Sequence, residues 1–476
     1  MIIRNPSAAE AGRYDLIVIG GGIYGVMLAF EAGRRGLRAL LLERDDFGSH
    51  TSFNSLRILH GGLRYLQKLD LKRFRESVGE RQWFLRNFPA LVQPLPCLMP
   101  LYGDGMRRPA ILRAALAANH LLSLGRNRGV APDRRLPKGG ILPAGEVRRL
   151  FPAVDPAGLQ GGALWYDAVM PDSQRLLMEI LRWACGLGAC ALNYMEATTL
   201  LQYRNQVVGV IASDRESSSR YEFKATKVIN AAGPWCREVA QSAGPGGKPL
   251  FTPSLAWNVL LDRRPPAPYG LALTPRRPGA QTYFLVPWKG KLLAGTGHLP
   301  WEGHQGRPRP SAGQLEHFLA GLNAAAPGLA VAPDQVLHVL AGLLPAARPG
   351  TAELATREVI VDHGRAGGLE NFFSVSGVKF TTARLVAHKT LSLVFPEAAA
   401  PLPCEKLAPV TPRGVFLDGQ GLAGDVPAGE LRTLIAEESV RSVDDLLYRR
   451  TDLWLVPALR EKLPAEAAFP SARSQN

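Results

Sequence analysis

The sequence predicts an α/β protein in which one parallel sheet is assembled from distant parts of the chain and an antiparallel sheet is inserted between them. Apolar strands run into small-residue turns at three separated places, Gly20–Gly25, Asn230–Trp235 and Gly377–Thr382. Turns of this kind at the carboxyl ends of strands are where open α/β sheets bind ligands. Between them, Thr282–Pro287 and Leu292–Gly297 alternate in the way that is typical of paired antiparallel strands.

The first of these turns has the spacing of a dinucleotide-binding βαβ unit. The apolar strand Leu16–Ile19 runs into Gly20, Gly22 and Gly25, a helix-like segment follows, and a second apolar strand ends in Glu43. Gly20 permits the tight turn, Gly22 lets the backbone approach a pyrophosphate at the helix N-terminus, and Gly25 lets helix and strand pack closely. The carboxylate of Glu43 is placed to accept hydrogen bonds from ribose hydroxyls. We therefore expect a Rossmann-like domain with a bound dinucleotide.

The composition is that of a folded protein of two to three domains. The chain has 476 residues, of which 46% are hydrophobic and 20% charged. No apolar run reaches the roughly 18 residues that a membrane-spanning helix needs, and the N-terminus lacks the apolar core of a signal peptide. The five scattered cysteines have no metal-binding spacing, so we expect no metal site. These features predict a cytoplasmic location.

The formal net charge is +15, and no nucleic-acid-binding motif accompanies it, so we expect no nucleic-acid partner. Positive charge is clustered around an apolar, helix-compatible segment, Pro109–Leu124, which is flanked by Arg107, Arg108, Arg126 and Arg128. A basic-flanked amphipathic helix can lie on an anionic membrane surface, such as the inner face of a membrane. It can equally be an ordinary surface helix with a solvated basic edge, and the sequence leaves both interpretations open.

The order of the segments predicts a discontinuous first domain. Helical patterns over Asp70–Asn87 and Ser173–Gly186 flank a Pro-rich stretch that moves the chain to another layer. Beyond about residue 395, Pro-rich loops and then helices predict a C-terminal extension. We expect a cofactor-binding domain of residues 1–90, 160–245 and 340–395, a substrate or cap domain of residues 91–159 and 246–339, and a helical extension of residues 396–476.

Eight motifs together resemble the FAD-dependent glycerol-3-phosphate dehydrogenases of the D-amino-acid-oxidase-like flavoprotein superfamily. In chain order they are GGGIYG, LLERDDF, HTS, LHGGLRYL, NAAGPW, FLVPW, AGLLP and SGVKFTTAR, and the resemblance spans roughly residues 14–390. It implies FAD bound across the parallel sheet, with the isoalloxazine ring facing the inserted antiparallel domain. The residues that it assigns to cofactor binding are Gly20, Gly22, Gly25, Glu43, Arg44, Thr51, Ser52, Ser55, Gly61, Gly62, Ala232, Gly233, Gly342, Gly377, Val378, Lys379, Phe380 and Thr381.

The resemblance also implies a reaction in which a secondary alcohol loses a proton from oxygen and a hydride from carbon to flavin N5. His60, Arg64 and Tyr65 match the active-side loop of the family, where an arginine can hold an anionic substrate. Lys379 is expected to stabilise the anionic reduced flavin. Asn258 is the fifth residue that the resemblance places among the catalytic residues.

Three departures from the family pattern concern the substrate pocket. Leu344 replaces an arginine that pairs with the substrate phosphate, Asn258 replaces a histidine and follows the bulky Trp257, and Val378 crowds a Gly-Gly-Lys turn. Loss of a bidentate guanidinium leaves an apolar wall. Unless Arg348 replaces that cation, glycerol 3-phosphate is expected to be a poor substrate.

The sequence leaves several alternatives open. The small-molecule donor could be an amine or amino acid, or the chain could be a non-catalytic flavin-binding protein. The electron acceptor is expected to be a quinone if Pro109–Leu124 lies on a membrane, and dioxygen or a soluble carrier if it does not. His50 precedes Thr51 and Ser52, and it either attaches covalently to the flavin or makes an ordinary loop contact.

Overall fold

The computed structural model describes residues 1–66, 69–103, 105–241, 250–277, 279–301, 303, 307–407 and 428–456. The strands are β1 (Arg13–Ile19), β2 (Ala39–Leu42), β3 (Ile58–Leu59), β4 (Gln93–Leu101), β5 (Gly140–Leu142), β6 (Gly161–Val169), β7 (Cys190–Leu192), β8 (Met195–Tyr203), β9 (Gln206–Asp214), β10 (Arg220–Asn230), β11 (Pro253–Leu261), β12 (Gly270–Leu273), β13 (Tyr283–Trp288), β14 (Lys291–Pro300), β15 (Val336–Pro345), β16 (Val359–Asp362) and β17 (Phe372–Ser376). The helices are α1 (Pro6–Glu10), α2 (Ile23–Gly33), α3 (Leu63–Leu66), α4 (Leu71–Asn87), α5 (Pro109–Leu122), α6 (Ala144–Leu150), α7 (Ser173–Gly186), α8 (Cys236–Ala240), α9 (Ala312–Ala325), α10 (Ala383–Val394) and α11 (Ala428–Glu437).

The first sheet is assembled from distant parts of the chain, as the sequence predicts. Its strands lie in the order β16-β17-β10-β1-β2-β7, and the hairpin β8–β9 extends it beside β10. β1 pairs in parallel with β2 and β10, and β10 pairs in parallel with β17. In this register Ile19 lies opposite both Leu42 and Asn230, and Asn230 lies opposite Ser374. The turns that follow β1, β10 and β17 therefore meet at one edge of the sheet.

Helix α2 lies in the interior beneath this edge. All of its residues from Val26 to Gly33 are buried, and it packs between α7 and α10. Phe30 stacks on Trp183 of α7 with ring centroids 5.6 Å apart. A helix that is apolar on all sides is stable only when other elements cover it, and this covering fixes the direction in which the N-terminus of α2 points.

The second sheet is mostly antiparallel and has the order β15-β11-β14-β13-β12-β4-β6-β3, with β5 beside β6. Helix α9 covers one face, where Phe318 contacts Trp257 and Tyr283. The chain is thus a mixed α/β protein with a Rossmann-like domain and an inserted antiparallel-sheet domain. The domain boundaries given above remain a prediction; β3 and β6 come from segments assigned to the cofactor domain, yet they pair in the second sheet.

The described part of the C-terminal extension contains α11 and a π-helical turn, Asp445–Arg450. This segment is joined to the first sheet by a buried charge network. Both guanidinium nitrogens of Arg450 donate to the carboxylate of Asp46, at 2.8 and 2.9 Å, and Arg449 donates to the same carboxylate at 2.6 Å. Arg175 of α7 forms a bidentate pair with Glu438 at 2.8 Å. Among the described helices, none has the length and apolar character needed to cross a bilayer.

Replacing Asp46 by Asn should strongly destabilise the protein, because it leaves the buried guanidinium group of Arg450 and the partly buried one of Arg449 without this counter-charge. Breaking a buried ion pair costs about 3–5 kcal/mol. Burial raises the pKa of Asp46, but the guanidinium groups of Arg450 and Arg449 outweigh burial and hold this pKa below its usual range. The stabilisation is therefore complete above the pKa of an unfolded aspartate, about 3.9, and is lost as the pH falls through the folded pKa.

Urea denaturation at pH 7 and at acidic pH measures this effect. The control is Asp133→Asn, whose carboxylate pairs with Arg134 but is 69% exposed, and which should change the free energy of unfolding by about 0.5 kcal/mol or less. A loss from Asp46→Asn no larger than that of the control at pH 7 would contradict the assignment.

Candidate functional site

A cavity of about 750 Å³ lies where the carboxyl ends of β1, β2 and β10 face the second sheet. Its volume falls within the range of ligand pockets, about 300–1,000 Å³. The first sheet contributes the turns that follow its parallel strands, and the second sheet contributes Asn258, Thr296 and Gly342–Pro345. One cavity therefore joins the predicted dinucleotide site to the predicted substrate side.

The glycine-rich turn has the backbone geometry that its sequence predicts. Gly20 has a φ of +105°, and a Cβ atom there would lie 2.7 Å from the carbonyl oxygen of Ala231. A Cβ atom on Gly25 would lie 1.8 Å from the carbonyl oxygen of Gly20, so this glycine serves the packing of helix against strand. Gly22 caps α2 without a side-chain hydrogen bond, and the N–H of Ile23 donates to the hydroxyl of Ser52 at 3.0 Å.

Glu43 lies at the end of β2 with its carboxylate fixed by backbone donors. The N–H of Gly21 donates to Oε2 at 2.6 Å, and the N–H of Asp45 donates to Oε1 at 2.8 Å. Burial raises the pKa of Glu43. These bonds hold the carboxylate in the wall of the cavity, where each oxygen still has lone pairs to accept from a ribose.

His50 and Arg44 lie on the same side of the cavity, around Trp235. The Nε2 atom of His50 is 2.7 Å from Oδ2 of Asp45, and its ring centroid is 4.7 Å from that of Trp235. The guanidinium carbon of Arg44 lies 4.1 Å from the centre of the Trp235 ring. His50 is thus paired with a carboxylate, and its covalent attachment to a flavin remains an untested alternative.

Most of the residues that the resemblance assigns to cofactor binding line this cavity. They are Gly20, Gly22, Glu43, Arg44, Thr51, Ser52, Ser55, Ala232, Gly233, Gly342, Gly377, Val378, Lys379, Phe380 and Thr381. Gly25, Gly61 and Gly62 lie behind the lining; the N–H of Gly61 donates to Asp167 at 2.6 Å, and Gly62 has a φ of +81°. The glycine-containing turns, the helix N-terminus and the carboxylate fit a dinucleotide such as FAD.

His60 lines the cavity and retains 45% side-chain exposure there. Its Nδ1 atom is 4.0 Å from Oδ2 of Asp167, a carboxylate that also accepts from Arg81 at 2.8 Å and from the indole of Trp165 at 3.0 Å. Burial lowers the pKa of His60; Asp167 opposes this effect, whereas the cations Lys379, Arg81 and Arg64 add to it. In its neutral form the imidazole can accept a proton.

Lys379 lines the cavity at the turn after β17, and its ammonium donates a hydrogen bond to the hydroxyl of Tyr65. Tyr65 is not part of the lining among the described residues, so it contacts the site through Lys379. Arg64 is exposed on α3 and is also not a lining residue. Its predicted contact with an anionic substrate stays a prediction.

Asn258 and Trp257 point in opposite directions from β11. The amide nitrogen of Asn258 donates to the carbonyl oxygen of Asn54 at 3.1 Å, and its oxygen accepts from Thr296 at 3.0 Å. Trp257 is buried against Phe318, with ring centroids 6.1 Å apart. The expectation that Trp257 adds bulk to the substrate pocket is wrong, because neighbouring side chains on a strand face opposite sides of the sheet.

Leu343, Leu344 and Pro345 line the cavity at the end of β15. Leu343 packs partly against the core of the second sheet, so Leu344 and Pro345 form the apolar wall of the cavity. The hydroxyl of Ser254 donates to the carbonyl oxygen of Leu344 at 2.9 Å and fixes this end of the strand. Arg348 lies four residues further on, where it is exposed and pairs with Glu353 at 2.8 Å. Arg348 is therefore not among the residues that line the cavity.

Sequence reasoning did not assign a role to three residues that line the cavity, Tyr24, Arg57 and Trp235. Arg57 is buried, donates to the hydroxyl of Ser173 at 2.6 Å, and lies 4.4 Å from the centre of the Trp288 ring. Burial lowers the pKa of Arg57 to about 10. Tyr24 and Trp235 lie inside the motifs GGGIYG and NAAGPW. Each is a bulky side chain among small residues, and this contrast could have indicated that they line the site.

Comparison with known proteins agrees with this geometry. The family profile of DAO, the FAD dependent oxidoreductases, matches residues 15–393. A glycerol-3-phosphate dehydrogenase of Synechocystis sp. is 33% identical over 429 residues, which cover 86% of this chain and 75% of the relative. Glycerol-3-phosphate dehydrogenase 1 of Mycobacterium tuberculosis is 31% identical over 507 residues, covering 96% of this chain and 95% of the relative.

Among solved structures, the glycerol-3-phosphate dehydrogenase of Bacillus halodurans complexed with FAD aligns with a TM-score of 0.65 and 25% sequence identity, over 84% of this chain and 68% of that chain. The fold and these matches define an FAD-dependent oxidoreductase, which is an enzyme with FAD as its cofactor. The chain belongs to the DAO family, and its relatives there are glycerol-3-phosphate dehydrogenases. The resemblance seen in the sequence motifs is confirmed.

Replacing Gly20 by Ala should abolish or strongly reduce FAD binding, because the new methyl group meets the carbonyl oxygen of Ala231 and forces the turn away from the cavity. The flavin content of the purified protein, measured by absorbance, reports the effect. The matched control is Gly36→Ala, where φ is +76° but nothing lies within 4 Å of the added Cβ. A Gly20→Ala protein as yellow as the control would show that this turn does not hold the cofactor.

Proposed function

We propose that the enzyme oxidises a secondary alcohol that resembles glycerol 3-phosphate but carries an apolar or larger group in place of the phosphate. The observation that carries this proposal is the apolar wall of Leu344 and Pro345 on the second-sheet side of the cavity, together with the position of Arg348 outside it. When FAD is bound, it supplies a hydride acceptor at N5 of the isoalloxazine ring.

The lining residues have distinct roles in this proposal. The neutral imidazole of His60 accepts the proton of the substrate hydroxyl, and the nearby Asp167 carboxylate stabilises the imidazolium that forms. The amide of Asn258, fixed by Asn54 and Thr296, orients the substrate and does not exchange a proton. The ammonium of Lys379 stabilises the negative charge that develops on the reduced cofactor.

The proposed loss of the phosphate contact determines how much more weakly the enzyme should bind glycerol 3-phosphate. A hydrogen bond to a charged group contributes about 1.5–3 kcal/mol, which corresponds to about a ten- to hundredfold difference in affinity. Arg348, the nearest following arginine in the sequence, is exposed and outside the cavity lining, so it does not restore that contact. Glycerol 3-phosphate should therefore be a poor donor for this enzyme.

Replacing Leu344 by Arg should raise kcat/KM for glycerol 3-phosphate by about ten- to hundredfold, because it restores a guanidinium at the apolar wall. Steady-state kinetics with an artificial electron acceptor measure the change. Leu337→Arg is the matched control, since Leu337 lies on the same strand but is 47% exposed and does not line the cavity. Wild-type turnover of glycerol 3-phosphate at a rate normal for a flavin dehydrogenase would refute the proposal.

We also propose that the enzyme is cytoplasmic and lies on an anionic membrane surface. At that surface a quinone accepts its electrons. If the enzyme does not bind a membrane, dioxygen is the expected acceptor. The buried side of α5, Leu112 and Leu116, packs inside the protein, whereas Leu121 near the C-terminal end of α5 and Leu124, two residues beyond it, are 64% and 68% exposed. Arg113 of α5 and Arg128, four residues after Leu124, are exposed. Exposed apolar side chains next to basic ones favour anionic lipid headgroups.

The double substitution Leu121→Glu and Leu124→Glu should reduce binding to vesicles that contain phosphatidylglycerol by tenfold or more, on the order of 1 kcal/mol for each change near the surface. Vesicle cosedimentation measures the binding. Leu354→Glu with Leu393→Glu is the matched control, because both leucines are exposed on other elements. Equal binding of the two double variants, or equal binding to neutral vesicles, would disprove a membrane role for α5.

A further inference from the structure

The hydroxyl of Tyr24 joins α2 to the turn that carries Lys379. This hydroxyl donates to the carbonyl oxygen of Lys379 at 2.8 Å and accepts from the N–H of Lys379 at 3.1 Å. One side chain thus satisfies both backbone groups of a residue 355 positions later in the chain. Burial raises the pKa of Tyr24, so the hydroxyl keeps the proton that it donates.

The ring of Tyr24 also fixes the preceding turn residue. A Cβ atom on Gly377 would lie 1.8 Å from the ring carbon that bears the hydroxyl. The ring therefore occupies the space that any side chain at position 377 would need. Ring and hydroxyl together fix the distance between α2 and the Gly377–Lys379 turn.

A second tyrosine, Tyr65 of α3, holds the side chain of Lys379. Its ammonium donates to the hydroxyl of Tyr65 and lies 4.4 Å from the centre of the Tyr65 ring. The backbone of Lys379 is thus held by Tyr24 and its charge by Tyr65. Lys379 itself lines the cavity.

We propose that Tyr24 is a positioning residue: by fixing the backbone of Lys379, it places the ammonium of that residue against the redox-active end of bound FAD and so raises the reduction potential of the cofactor. The inference rests on the proposed role of Lys379. The stabilisation that a fixed charge gives to a developing negative charge depends on their separation, and a preorganised charge needs no rearrangement during reaction. Loss of the Tyr24 hydroxyl frees both backbone groups of Lys379 and lets its turn move.

The test uses the purified holoenzyme with Tyr24→Phe, which keeps the ring against Gly377 and removes only the hydroxyl. Sulfite binds oxidised flavins more tightly when a positive charge lies nearby, and its Kd is read from the loss of flavin absorbance. Tyr24→Phe should weaken sulfite binding by about three- to tenfold and lower the reduction potential. Lys379→Met should produce a larger change in the same direction.

The double variant Tyr24→Phe with Lys379→Met identifies the route of the effect. Its reduction potential should equal that of Lys379→Met alone, because Tyr24 acts through Lys379. Tyr14→Phe is the matched control: Tyr14 is a buried tyrosine of β1 whose hydroxyl donates to the carbonyl oxygen of Ala9 at 3.0 Å, outside the cavity lining. This control should leave sulfite affinity and potential unchanged. Gly377→Ala, which displaces the ring of Tyr24, provides a second variant. It should shift sulfite affinity and reduction potential in the same direction as Tyr24→Phe.

Each outcome decides between the two claims. If Lys379→Met leaves the potential unchanged, the proposed role of Lys379 fails and the inference fails with it. If Lys379→Met lowers the potential but Tyr24→Phe and Gly377→Ala do not, the inference about Tyr24 alone fails. An effect of Tyr24→Phe that persists in the Lys379→Met background would also overturn it.

Discussion

The close approach of three strand ends at one edge of the first sheet determines the geometry of the whole site. β1 lies between β2 and β10, and β10 adjoins β17, so the turns after these strands come together. At the centre, Gly20 adopts a backbone conformation available mainly to glycine, and a Cβ atom there would collide with Ala231. Because side chains are excluded from this point, backbone donors of the turn and of the α2 N-terminus can face an anionic cofactor.

The loop before β3 joins this edge to the second sheet largely through backbone acceptors. The hydroxyl of Thr51 donates to the carbonyl oxygen of Leu343 at 3.2 Å, and the carbonyl oxygen of Asn54 accepts from Asn258 at 3.1 Å. Backbone carbonyls are present whatever the side chain. A substitution such as leucine for arginine at position 344 can therefore alter the substrate wall while the contacts that position the cofactor side remain.

Elements with a regular local pattern, and the assembly of the motif-bearing strands into one sheet, could be predicted from the sequence, whereas individual side-chain contacts between distant segments could not. The helix Ser173–Gly186 is observed with the predicted bounds, because its apolar spacing is regular and its partners do not alter it. The orientation of Trp257 follows from strand alternation once Asn258 is assigned to the site, because neighbouring residues of a strand face opposite sides of the sheet. The role of Tyr24 was missed because its partner, Lys379, is 355 residues away.

The same distinction applies to the candidate site. The glycines and Glu43 could be located because a dinucleotide imposes their spacing within one short segment. Asp167 beneath His60 could not, because these residues meet only through the pairing of β3 with β6. The predicted loss of the phosphate-binding arginine rests on one position, Leu344, whose surroundings in the structure are apolar.

Anaerobic reduction of the holoenzyme by a panel of donors tests the account most directly. Bleaching of the flavin absorbance is followed with glycerol 3-phosphate and with 1,2-diols that carry an alkyl or larger uncharged group in place of the phosphate. The proposed apolar wall at Leu344 predicts that one of the uncharged diols bleaches the flavin at least tenfold faster than glycerol 3-phosphate at equal concentration. Fastest bleaching by glycerol 3-phosphate would contradict it.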